Sequence, residues 1–286
     1  MDRELWGCDF SSAPSRRKPV VLAIGRLDGD CVRLDRIETF ETLPAFGQRL
    51  AEPGDWVGGF DLPFGLPREL VEALGWPTDW LACMRHYAAM GRAEIRERFA
   101  AFCAARPVGA KFAHRATDRP AGSSPSMKWV NPPVAFMMHA GVPLLLDAGV
   151  CLPGLHPGAD ADRDPRGQPR RVAFEAYPGL LARSVLGARS YKSDDRARQT
   201  PERLQVREAL LRALLAGEVV LLRDAGLSLE LSPGQRDELA LDASGDRLDA
   251  LLCLLQAGWA LQRQRQGHGN WGLPDFDPLE GWIVSA

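Results

Sequence analysis

No apolar run in this chain approaches the ~20 residues that a membrane-spanning helix requires. Its first residues, Met1-Asp2-Arg3-Glu4, pass directly into a strand pattern without the basic-then-apolar design of a secretion signal. No CxxC spacing links the six cysteines, which are scattered and in several cases lie inside apolar runs. Neither a zinc site nor a disulfide framework is indicated, and they read as reduced core residues of a cytoplasmic protein. Nor is there an excess of positive charge: the formal net charge is −2, so any nucleic-acid contact has to come from local patches. The remainder is ordinary for a globular protein. With 45% hydrophobic residues in 286, the chain suits one large domain, or a core domain with an inserted lobe.

The chain does contain acids in apolar settings. Leu5-Trp6-Gly7-Cys8 leads to Asp9-Phe10 and at once to the turn Ser11-Ser12-Ala13-Pro14. A carboxylate there costs several kcal/mol unless it is paired, neutralised or bound to a cation, although a strand-end turn former accounts for Asp9 taken alone. Pro19 to Gly25 reads as a second strand, Asp28-Gly29-Asp30 as a hairpin, and Cys31 to Ile37 as a third, half-exposed strand. A helix over Leu43 to Leu50 stops at Pro53-Gly54. Trp56-Val57-Gly58-Gly59-Phe60 then repeats the first design, with Asp61 at its end before Leu62-Pro63-Phe64-Gly65-Leu66-Pro67. If the two strands are parallel neighbours, Asp9 and Asp61 emerge at the same sheet edge, where open α/β sheets place ligands. A helix cap before Pro67 is the plainer alternative for Asp61.

From about 76 to 169 the pattern changes, and this stretch reads as a largely helical insertion or lid. Thr78 is placed to cap a long helix running to about Ala105. Arg106 to Trp129 lacks periodicity and mixes Lys111, Arg115 and Lys128 with Phe112, His114 and Trp129. That combination suits phosphate contact and base stacking, and it equally suits a solvated loop. Pro132-Pro133 opens a second helix, and 153–169 is an exposed Pro/Gly/Asp-rich loop.

The sheet resumes at Arg171-Val172-Ala173-Phe174, where Glu175 stands as Asp9 and Asp61 do. Beyond the helix Gly179 to Leu186, Lys192 is placed for a phosphate contact. Arg203 lies one turn from Arg207 on the helix opened by Pro201, where either a phosphate contact or a salt-bridged surface fits. The last helix begins at Asp246 with Ser244 as its cap. Asp249 borders the stripe of Leu248, Leu251, Leu252, Leu255 and Trp259. First-turn acids complement a helix dipole; that explains Asp246 better than an acid beside a buried stripe. Glu280 to Val284 is a short apolar tail expected to dock on the core.

Carboxylates gathered from several elements without a Cys/His set favour hard, oxygen-seeking cations, Mg²⁺ or Mn²⁺. Such ions activate water and stabilise the leaving oxygen in phosphodiester hydrolysis, and they keep crowded acids ionised.

Gly7-Cys8-Asp9, Phe60-Asp61-Leu62-Pro63 with Gly65-Leu66-Pro67, Phe174 to Pro178, Tyr191-Lys192, Asp246 to Leu251 and Glu280 to Ile283 together resemble, in order, the motifs of the domain of unknown function 429 family. Those proteins are regarded as predicted nucleases of the ribonuclease H-like superfamily. The resemblance covers both ends of the chain, 1–75 and 170–286, but not the stretch between. It implies an α/β fold with a ribonuclease H-like mixed sheet flanked by helices, nucleic acid as partner and Mg²⁺ or Mn²⁺ as cofactor. It implies Asp9, Asp61, Asp249 and Asp246 as metal ligands. Glu175 and Lys192 are read in catalytic support, and the local basic residues Lys111, Arg115, Lys128, Lys192 and Arg203, outside what the resemblance carries, are read toward substrate. One departure stands out: Leu43 to Leu50 carries no acid, where many ribonuclease H-like nucleases have a glutamate. Glu175 replaces it, or the site holds one metal or none. Two other readings stay open. One is a phosphotransferase or ATPase of the actin and sugar-kinase type, although its second glycine-rich phosphate hairpin is missing. The other is a non-catalytic module that binds nucleic acid or a partner.

Overall fold

A computed structural model describes residues 3–286. β1 (Glu4–Asp9), β2 (Val20–Asp28) and β3 (Cys31–Phe40) form an antiparallel meander. Gly29, at φ +62°, supplies the left-handed residue of the β2–β3 hairpin. Helix α1 (Leu43–Ala51) starts where the Thr42 hydroxyl accepts from the Ala45 N–H, and it ends before Pro53. The chain then returns as β4 (Trp56–Phe60), parallel to β1 on its free side. After α2 (Arg68–Ala73), α3 (Trp80–Ala89), α4 (Arg92–Ala104), the short α5 (Asp118–Ala121) and α6 (Val134–Asp147), β5 (Arg171–Glu175) adds parallel to β4. Next come α7 (Pro178–Leu186), α8 (Pro201–Leu215), α9 (Val220–Asp224) and β6 (Ser228–Glu230), which lies parallel to β3 at the far edge. Helices α10 (Pro233–Leu241) and α11 (Asp246–Arg265) complete the fold. The result is an α/β protein with a six-stranded mixed sheet, order β5-β4-β1-β2-β3-β6, flanked by helices. No described helix is long and apolar enough to cross a membrane.

Alternating side chains divide the interior in two. Leu5, Val21, Ala23, Val57, Val172 and Phe174 face one core with α7, α8, α10 and α11. Trp6, Cys8, Leu22, Ile24, Trp56 and Phe60 face the other, with α1, α2, α3, α4 and α6. The stretch 76–169, expected as a lid apart from the core, is instead the greater part of this second layer: Tyr87, Phe99 and Met138 are buried in the same cluster as Trp6 and Ile24. Its helices also differ from expectation. The long helix is two, broken at Met90-Gly91, and its cap is the Asp79 carboxylate, which accepts from the Ala82 N–H at 2.9 Å, in place of Thr78.

Helix α11 is the element on which the first layer is built. Its residues from Leu248 to Leu261 are all buried, so it is enclosed on every side and does not present the single apolar stripe read from its sequence. It packs across β1, β2 and β4 at glycines. A Cβ on Gly7 would lie 2.1 Å from the Ala250 carbonyl oxygen, and one on Gly59 would lie 2.5 Å from that of Cys253. Ser244 does not cap this helix by itself: Gly245 takes the cap position at φ +78°, and the Asp242 carboxylate accepts from the Arg247 N–H and the Ser244 hydroxyl.

The Gly7→Ala variant must lift α11 from the sheet, at a cost of about 1–3 kcal/mol or more. Its Tm is expected several degrees below wild type. Gly234→Ala, on an open helical position with nothing within 4 Å, is expected to leave Tm unchanged or slightly raised. Equal Tm values for the wild type and Gly7→Ala would contradict the close crossing.

Candidate metal centre

The parallel register of β1 and β4 sets Cys8 opposite Phe60, and the Asp61 N–H continues the ladder to the Cys8 carbonyl at 2.9 Å. Asp9 and Asp61 therefore stand side by side, on the same face as Gly7 and Gly59. That is the face crossed by α11, whose first turn places Asp249 over the pair. Carboxylate oxygens of Asp9, Asp61 and Asp249 all lie within 4.8 Å of one another. Asp249 is completely buried and Asp9 is 7% exposed.

The surroundings are incompletely neutralising. The Lys192 ammonium donates to one oxygen of Asp249 and the Tyr191 hydroxyl to the other. Asp246, also buried, is engaged by Lys18 Nζ at 2.8 Å, and Lys18 further binds the exposed Asp194 at 2.6 Å. Burial opposes the Lys18 charge, but Asp246 and Asp194 beside it hold its pKa above the ordinary value. Asp9, Asp61, Asp246 and Asp249 thus face two ammonium groups, one of which is shared with Asp194. Burial, reinforced by Asp249, Asp246 and Asp61, pushes the Asp9 carboxyl well above the usual range. Burial, with Asp249 next, pushes Asp61 up to about 7. Asp249 is raised by burial too, with Lys192 working against the rise.

Glu175 does not join the triad. It pairs in register with Phe60, not Asp61, so strand alternation turns it to the opposite face. There it is held by Arg115, which the loop reading had placed toward substrate. The buried Arg115 guanidinium donates to both Glu175 oxygens, at 2.6 and 2.7 Å, and to Asp118. Glu175 also accepts from the Phe64 N–H at 2.8 Å, and Arg115 donates to the Glu280 carbonyl. This buried cluster ties the turn after β4 to the C-terminal tail, which docks as expected: the Val284 N–H donates to the Glu175 carbonyl at 2.8 Å.

The structure brings together Asp9, Asp61, Asp249 and Lys192, with Asp246 alongside. Lys111 is exposed and Lys128 half-buried, and neither lines the cleft above the triad. Arg203 supports the site indirectly: it donates to the Lys192 carbonyl, while the buried Arg207 donates to the Tyr191 carbonyl at 2.8 Å. The two arginines of α8 thereby fix the Tyr191-Lys192 segment. Sequence reading missed Lys18. The signal was topological: β1 ends and β2 begins at one sheet edge, so a residue just before β2 must lie near Asp9. The chain matches no protein-family model, no curated protein and no solved structure.

A cleft of about 530 Å³ opens at the carboxylates, lined by Asp9, Asp61 and Lys192 together with Val134, Met137 and Tyr177. Clustered carboxylates of this kind, with too few cations of their own, could hold a metal ion.

The raised carboxyls give the metal-free protein a specific pH dependence. Asp61 takes its proton at about pH 7 when folded and at ~3.9 when unfolded. Between these values the folded state binds more protons, so stability falls as pH rises. In EDTA, Tm is expected to decrease from about pH 5 to about pH 7 through this group, and Asp61→Asn should flatten the decrease. An equally steep curve in the variant would contradict the assignment.

Proposed function

We propose that this protein is a divalent-metal-dependent nuclease with a ribonuclease H-like core, akin to the domain of unknown function 429 proteins its motifs resemble. The strand order supports the core: three antiparallel strands, then two parallel ones added beside the first, is the ribonuclease H-like arrangement, with β6 added at its edge. The observation that carries the function is the charge imbalance at Asp9, Asp61 and Asp249. With Asp246 included, four carboxylates still outnumber Lys192 and Lys18, and Lys18 is shared with Asp194. One divalent ion offsets that, and an all-carboxylate donor set suits Mg²⁺ or Mn²⁺.

Asp9, Asp61 and Asp249 would hold the ion, with Asp246 in support. When bound, the ion supplies Lewis-acid polarisation of a phosphoryl oxygen and lowers the pKa of a water. The chain's own groups do the remaining work. Lys192, at the cleft wall, presents an ammonium to a phosphate oxygen. The Tyr191 hydroxyl fixes the orientation of the Asp249 carboxylate. Lys18 pairs with Asp246 beside the cluster, and the burial of Asp9 and Asp249 limits access of bulk water. Six unpaired cysteines, five of them buried, suit a reducing compartment such as the cytoplasm.

Asp9→Asn and Asp249→Asn each remove a ligand oxygen's charge while keeping side-chain volume. Cleavage of labelled single- and double-stranded DNA and RNA in Mn²⁺ is expected to fall more than about 100-fold in each, since even outer partners of metal ligands cost 10–100-fold. Circular dichroism should remain that of the wild type. Full activity in both variants would overturn the reading.

A further inference from the structure

We propose that the substrate is an unpaired nucleic-acid strand: one nucleotide is seated in the cleft over the carboxylates, and the phosphates that follow run over Lys18 into an adjoining basic groove. This rests on the nuclease reading above and names the substrate class for the same site.

Depth is the first argument. Asp249 has no exposed surface, Asp9 only 7% and Asp61 is half-buried, so a phosphodiester must enter the cleft to approach all three. A stacked and paired duplex holds its nucleotides too rigidly for that without extruding one, whereas an unpaired nucleotide enters at little cost. Size agrees. About 530 Å³ falls within the ~300–1,000 Å³ of sites that enclose a single small ligand, a volume for one or two nucleotides and not for a double helix.

The lining serves both parts of a nucleotide. Asp9, Asp61 and Lys192 line the cleft and suit phosphate. The apolar Pro132 and, from the start of α6, Val134 and Met137 line it too, together with Tyr177. The Arg183 guanidinium lies 5.0 Å from the centroid of the Tyr177 ring. An apolar face with an aromatic ring and a stacked guanidinium is a platform for a base without sequence preference.

The path out of the cleft is also marked. A second groove of about 560 Å³ shares Lys18 and Asp194 with the cleft and continues past Arg17, Arg196 and Gln199. Arg17 and Arg196 are exposed, and neither has a carboxylate partner among the described residues, whereas Lys18 and Arg198 nearby are paired. Asp242 in the same groove is occupied with capping α11. Two free guanidinium groups beyond the reacting position are placed for successive phosphates of a single strand.

The test is fluorescence anisotropy with the Asp9→Asn protein in Mn²⁺, using short oligo-dT, short oligo-U and a duplex of the same length. At least one single strand is expected to bind about tenfold or more tighter than the duplex, a difference of ~1.4 kcal/mol. Adding Arg17→Gln and Arg196→Gln is expected to weaken that binding. It should also reduce the slope of log affinity against log salt by about 1.4, which is ~0.7 for each phosphate no longer neutralised. Both arginines are exposed, so these substitutions leave the fold intact. Duplex binding as tight as either single strand, or an unchanged salt slope in the arginine variants, would overturn the proposal. Thermal stabilisation of the wild type by Mn²⁺ separates the two levels. If it is present without strand preference, only the substrate inference fails; if it is absent, the nuclease reading fails.

Discussion

The close crossing of α11 over β1 and β4 depends on two glycines, because at Gly7 and Gly59 the helix backbone occupies the space a side chain would need. That packing sets the height of α11 above the sheet, and so the height of Asp249 above Asp9 and Asp61. The parallel β1–β4 register does the rest, placing the two strand-end acids side by side on the face the helix crosses. No residue of the triad is close to another in sequence. Their meeting is a consequence of one ladder and one helix–sheet crossing.

Electrostatics then turn an arrangement into a site. Burying carboxylates among one another is unfavourable, and the raised proton affinities of Asp9, Asp61 and Asp249 are its direct expression. Outside the cluster, the buried acids among the described residues, Glu175 and Asp118, share the Arg115 guanidinium, and the half-buried Asp162 is met by Arg171 at 2.9 Å. Breaking such a buried pair by removing one partner costs about 3–5 kcal/mol, which shows how strongly a fold favours compensation where it is attainable. The triad is the place where compensation is left short, with Lys192 and Lys18 meeting only part of the charge. Stability forgone there is consistent with a cluster shaped to receive a cation.

Much of this was legible from local pattern. Asp9 and Asp61 each follow an apolar run and precede a turn, and two strands sharing that design suggested a common edge. The β2–β3 hairpin, α1, β4 and the docking tail followed from turn residues, helix-stopping Pro-Gly and apolar runs. Glu175 shows the limit, since a one-residue difference in where the strand ends reverses its face, and only the β4–β5 register reveals it. Arg115 looked like part of a solvated basic loop; its partners are 3 and 60 residues away, and burial of an arginine is set by such long-range pairs. The enclosure of α11 was hidden for the same reason, as its polar-looking positions include Gln256, whose buried amide joins the Tyr177 N–H to the Val284 carbonyl. Lys192 was read as a phosphate contact, and its placement on Asp249 adds a second role.

The central claim is that the carboxylate cluster takes up a divalent ion to complete its charge. Calorimetric titration of Mn²⁺ into the wild type and Asp61→Asn, repeated at pH 6 and pH 8 in buffers of different ionisation enthalpy, tests it directly. The account predicts saturable binding that is abolished or severely weakened in Asp61→Asn. Binding should release protons at the lower pH, where Asp61, with its pKa of about 7, must give one up, and should release fewer at the higher pH. Absence of binding to the wild type, or equal binding and proton release in the variant, would contradict it.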